Sequence, residues 1–154
     1  MSNVVLNELE LAHCDFEMGL RQGRTVDTGR IHKYGLVGVH LDIEMESICA
    51  EFAVAKYLNQ YPTAICGVGS SDVGENIEVR WTQNKCLLVH KPEEGDNPDD
   101  IFVMVTGSDG GYEIKGWLQG YACQQERYWR TDIRKPAYLV PVPDLNAPFL
   151  LVRP

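Results

Sequence analysis

"IFVMVTGSDGGYEIKGW", residues 101–117, sets two runs of β-branched and aromatic residues either side of Gly107–Gly111. Turn residues in that number between two such runs predict a β-hairpin, with "GSDGG" at its tip. The same segment lacks the strand-to-helix context of a phosphate-binding loop, so the glycines are read as turn formers. Upstream, "IEVRW" (77–81) and "CLLVH" (86–90) repeat the pattern, separated by "TQNK". Short links favour antiparallel neighbours, so these two are also expected to pair. Downstream, "LQGYACQQERYW" (118–129) predicts a short helix, and "AYLVPV" (137–142) a last strand stopped by its prolines.

The residues before Pro62 have a different period. Val5, Leu9, Ala12, Phe16 and Leu20 recur every three or four residues, which predicts an N-terminal helix over 3–22. Residues 23–42 read as a long connection; with Arg21 just before it, Arg24, Arg30 and Lys33 give it a basic character. "IEMESICAEFAVAKYLN" (43–59) predicts a second helix. Asp42 is its expected N-cap, with Glu44 and Glu46 at the positive end of the helix dipole. Ile48, Phe52, Ala55 and Leu58 form the expected apolar stripe. At 100° per residue, Glu51 falls about 60° from Ile48, beside the stripe rather than opposite it. The outline is a single α+β domain over 1–154, with its core in 43–142.

The chain has 154 residues, 44% of them hydrophobic and 23% charged, as expected of one soluble globular domain. No apolar run reaches the ~20 residues that span a bilayer. The start lacks the basic and apolar regions of a secretion signal, which predicts a cytoplasmic protein without membrane contact. Five scattered cysteines contain no Cys-x-x-Cys pair, so buried thiols are expected rather than disulfides or a zinc site. His13, His32, His40 and His90 show no ligand spacing. The formal charge of −8 argues against a large basic face for nucleic acid. It does not exclude a nuclease, because carboxylates gather where a divalent metal binds. "HKPEEGDNPDD" (90–100) reads as a solvated acidic turn, and "RYWRTDIRK" (127–135), locally basic with two aromatics, as solvated charge.

"SSDVGENIEVRW" (70–81) carries the candidate chemistry. Strand alternation puts Glu78 and Arg80 on one face and Ile77, Val79 and Trp81 on the other. Asp72 precedes a Gly74-Glu75-Asn76 turn able to fold it back on the strand. With Glu51 from the helix, Asp72 and Glu78 would supply three hard oxygen ligands suited to Mg²⁺ or Mn²⁺. Taken singly, Asp72 also reads as an Asx-turn residue, Glu78 and Arg80 as a solvent face, and Glu51 as a helix-flank acid.

Together, "ESICAEFAVAKYL", "DVGENIEVRW" and "IFVMVTGSDGGYEIKGWLQG" resemble the PD-(D/E)XK nuclease superfamily, in particular its small phage-encoded members, over roughly 43–142. The resemblance implies a restriction-endonuclease-like core: an α/β/α-like fold with a mixed, mostly antiparallel sheet flanked by helices. It implies Mg²⁺- or Mn²⁺-dependent hydrolysis of DNA, with Glu51, Asp72 and Glu78 as metal ligands. Arg80 stands where that family has a lysine. Arginine keeps its proton and can clamp a phosphate but cannot serve as a base, which puts catalysis in question. Lys85 and Lys115 are the substitute lysines. The alternative is an inactive module of the same fold that binds nucleic acid or a host protein. A third reading is an assembly protein that pairs through its N-terminal helix.

Overall fold

The computed structural model describes the backbone of residues 2–28, 40–60 and 71–151, and the side chains of 2–20, 43–60 and 71–151. Strands β4 (Ile101–Ser108) and β5 (Gly111–Gln119) form the expected antiparallel hairpin. Asp109 and Gly110 at its tip both have positive φ, 54° and 87°. That is the mirror-image turn whose twist matches a hairpin, and it explains "SDGG".

Beyond the hairpin, the pairing departs from expectation. β2 (Ile77–Trp81) does not pair with β3 (Cys86–Val89) but lies parallel to β4. β3 pairs instead with β7 (Ala137–Pro141), which also carries β6 (Trp129–Arg130). Two sheets result, ordered β1-β5-β4-β2 and β3-β7-β6. A parallel pair needs a crossover, and residues 82–100 provide it by way of the second sheet.

The N-terminus is corrected as well. Ser2–Val5 is a strand, β1, on the outer edge of β5 rather than the start of a helix. The helix α1 then runs Glu8–Thr28, beyond the expected end at 22. Asn7 sets its start reciprocally: its side-chain oxygen accepts the Glu10 N–H at 2.9 Å, while Glu10 Oε2 accepts the Asn7 N–H at 2.7 Å. Lys56 Nζ donates to Glu10 Oε2 and to the Val5 carbonyl, joining this start to the second helix.

That helix, α2, spans His40–Tyr57, so Asp42 lies within its first turn and not at its cap. It is buried almost all round: Ile48, Cys49, Ala50, Ala53, Val54 and Ala55 are at most 1% exposed. Its alanines allow the close approach of α1 and the sheet. The expected stripe was too narrow, and Phe52 and Leu58 are only partly buried.

β4 is covered on both faces, which accounts for its unbroken apolar run. Val103 and Val105 face α2 with Ile77, Val79 and Ile114. Phe102 and Met104 face the second sheet, packing with Leu87, Val89, Val140, Cys123 and Tyr128. The described residues thus stack as helices, four-stranded sheet, three-stranded sheet: an α+β fold with mixed, mostly antiparallel pairing. Where helices were expected on both sides, the far face carries a sheet and the one-turn helix α3 (Gly120–Cys123).

α1 buries Cys14 and partly buries Leu11 and Met18, while Leu9, Phe16 and Leu20 of the periodic stripe stay exposed. Cys14, Cys49 and Cys123 are buried free thiols and Cys86 is half-buried; Cys66 lies outside the described residues. So do Arg30, Lys33 and His32, and the side chains of Arg21, Arg24, His40 and Asp42. Among the described residues no helix is long and apolar enough to cross a membrane.

Candidate functional site

The turn before β2 folds as its residues require. Val73 and Ile77 exchange backbone hydrogen bonds across Gly74–Asn76, and Gly74 takes a φ of 63°. The chain is thereby reversed, and Asp72 Oδ2 accepts the Val79 N–H at 2.7 Å. Asp72 is both the turn residue and a neighbour of the strand's acid.

Glu78 and Arg80 share a face, paired in register with Phe102 and Met104 of β4. This is the face toward the second sheet, so neither is a freely solvated strand residue: their side chains are 21% and 26% exposed. The Arg80 guanidinium lies 5.1 Å from the centroid of the Phe102 ring. Its Nη2 donates to Asp96 Oδ1 at 2.7 Å, and its Nη1 stands 3.8 Å from Glu78 Oε2.

Asp96 is the residue that sequence reasoning missed. The loop assigned to solvent folds through a short turn over Pro92–Glu94, reverses at Gly95 with φ 114°, and tucks Asp96 inside at 9% exposure. Its second oxygen accepts the His90 N–H at 2.7 Å. Gln124 Nε2 donates to the carbonyls of both His90 and Asp96, at 2.9 and 2.8 Å, and so ties the loop to the end of the one-turn helix Gly120–Cys123.

The charges are unequal. Burial alone would raise the Asp96 carboxyl, but Arg80 and the His90 N–H outweigh it and hold it below the ordinary range. Glu78 goes the other way. Burial first, and then the charge of Asp72, push it up to about 8; Arg80 opposes the shift, while Asp100 and Asp96 add to it. Asp100 is itself raised, by burial and then by Asp96 and Asp99. The charges of four carboxyl groups therefore bear on one guanidinium, which pairs chiefly with Asp96.

The fold brings Asp72, Glu78 and Arg80 together as expected, and adds Asp96 and Asp100. Glu51 has a different setting. It is 6% exposed on α2, which packs on the Ile77 and Val79 face of β2 rather than the Glu78 face, and its charge acts on the Cys14 thiol. Of the substitute lysines, Lys85 is exposed in the turn after β2, and Lys115 pairs with Glu113 at 2.9 Å on β5, one strand removed from β2.

Among the described residues no group of three or more His, Cys, Asp and Glu side chains stands close enough to hold a metal ion. The Asp72–Glu78 pair nevertheless suits a hard cation, since Mg²⁺ uses one or two carboxylates and keeps several waters. Compared with protein-family models, with curated proteins and with solved structures, the chain has no match.

Proposed function

We propose that the chain is a metal-dependent nuclease-like protein of phage type, acting in the cytoplasm, that hydrolyses DNA phosphodiester bonds on a restriction-endonuclease-like core. The observation that carries this reading is the Asp72–Glu78 pair, two neighbouring carboxyls of which Glu78 is pushed up to about 8 by burial and by the charge of Asp72. The order of its motifs along the chain supports the same reading.

Asp72 and Glu78 would hold the ion. Bound Mg²⁺ or Mn²⁺ would supply an activated water and offset charge building on the phosphate. The rest is done by the chain. The Val79 N–H fixes the Asp72 carboxylate. Asp96 fixes Arg80 through one nitrogen and leaves the other directed toward the Glu78 side, where it can orient a phosphate oxygen. Arg80 moves no proton, because it stays charged.

With Mn²⁺ and single- and double-stranded DNA, Asp72→Asn and Glu78→Gln are expected to lose cleavage by about 100-fold or more. Glu51→Gln, on the opposite side of β2, is expected to lose about tenfold at most, on the order of an outer-shell change. An inert wild type on every substrate, with and without Mn²⁺, would reject the enzymatic reading.

One observation favours a second reading. Arg80 replaces the expected lysine and is tied to Asp96, which suits a retained fold without the chemistry, binding nucleic acid or a host protein. Partner binding unaltered by Asp72→Asn would then accompany absent cleavage.

A further inference from the structure

The β6 edge of the second sheet gathers cations and aromatic rings that the candidate site does not use. Trp129 and Tyr138 pack with ring centroids 4.9 Å apart and planes at 60°. Lys91 Nζ lies 4.4 Å from the centroid of the Trp129 ring, and Arg127 Cζ lies 4.6 Å from that of Tyr128. Residues 127–135 hold four basic side chains against one acid, in a chain whose formal charge is −8. Arg127, Arg130 and Arg134 are exposed. Arg130 is neutralised by Asp132, at 2.9 and 2.6 Å, and Lys135 by Glu94 at 3.1 Å. Arg127, Arg134 and Lys91 therefore carry the patch.

The patch is joined to the candidate site through the 90–96 loop. Lys91 follows His90, whose N–H holds Asp96, whose other oxygen holds Arg80. Glu94, paired with Lys135, comes from the same loop. A ligand lying on Trp129 and Lys91 would therefore rest on the loop that positions the Arg80 guanidinium.

We infer that this edge is a binding track for single-stranded nucleic acid leading to the Asp72–Glu78 site. Cations spaced along an exposed segment suit a phosphate backbone, and the part of the Trp129 indole left exposed between Lys91 and Tyr138 suits contact with an unpaired base. A duplex hides its base faces, and it calls for a broader basic surface than a chain of this acidity offers. The inference rests on the proposed function only for its substrate class, naming the strand form.

The test is binding of a fluorescent oligothymidylate, in EDTA so that cleavage plays no part, at several salt concentrations. The wild type is expected to bind and to quench tryptophan emission. The doubly charge-reversed R127E/R134E, checked for unchanged circular dichroism, is expected to bind at least about tenfold more weakly, its salt slope reduced by roughly 1.4, or about 0.7 for each lost phosphate contact. Trp129→Leu is expected to weaken binding about tenfold while keeping the slope. No wild-type binding, equal binding by R127E/R134E, or equally tight binding of duplex DNA or an acidic polypeptide would overturn the inference. Oligonucleotide binding without cleavage would remove the nuclease proposal and leave the track. Cleavage with binding indifferent to R127E/R134E would do the reverse.

Discussion

Glu78→Gln is expected to stabilise the protein at alkaline pH and to change little in acid. The folded chain keeps the Glu78 proton up to about pH 8, where the ordinary carboxyl value is 4.5. Below that ordinary value both folded and unfolded chains are protonated, and the group contributes no pH dependence. Between the two values the unfolded chain releases a proton that the folded chain retains, so wild-type stability falls as pH rises. Above about 8 the loss is complete and the curve levels. Glutamine has no proton to give up and escapes the loss. Allowing for the partial exposure of the side chain, the gain at pH 9 is on the order of 3 kcal/mol. Urea denaturation at pH 4, 6 and 9 is expected to show the gap opening across this window. A gap that is constant with pH would mean that Glu78 ionises normally.

Asp96→Ala is expected to act in the opposite direction and to cost about 3 kcal/mol at neutral pH. It leaves the Arg80 guanidinium and the His90 N–H without the carboxylate that pairs both. The Asp96 carboxyl is lowered from its ordinary 3.8, so its contribution is present above that value and fades as pH falls through the lowered one. The difference between wild type and Asp96→Ala in denaturant midpoint is therefore expected to shrink only in strong acid. A cost below about 0.5 kcal/mol, the size of an ordinary surface substitution, would show that the loop does not anchor Arg80.

These two residues also mark what the sequence discloses. Glu78 was readable, because alternation along "IEVRW" places it with Arg80 and the Gly74 turn returns Asp72 to the strand. The 101–117 hairpin was readable for the same reason: its period and its turn residues are local. Asp96 was not. Five acids in one loop look uniformly solvated, and the one that turns inward is selected by a guanidinium sixteen positions earlier. The only local hint is Gly95, whose positive φ reverses the chain. The parallel pairing of β2 with β4 was hidden because short links suggest a meander, while β3 finds its partner in β7, some fifty residues on. The strand Ser2–Val5 is masked in the sequence because Val5 falls in helical phase with Leu9. Helical period alone sets Glu51 beside the apolar stripe, whereas burial of nearly the whole circumference of α2 puts it in the interior.

The proposed function depends on Asp72 and Glu78 sharing one divalent ion, and calorimetry of Mn²⁺ binding at pH 7, repeated in buffers of different ionisation heat, tests this most directly. A carboxyl that is still protonated must give up its proton to ligate, so the wild type is expected to bind one ion per chain with release of about one proton. That release should vanish above pH 9, and binding should be lost in both Asp72→Asn and Glu78→Gln. No Mn²⁺ binding by the wild type, or binding with the same heat and proton count in the two variants, would contradict it.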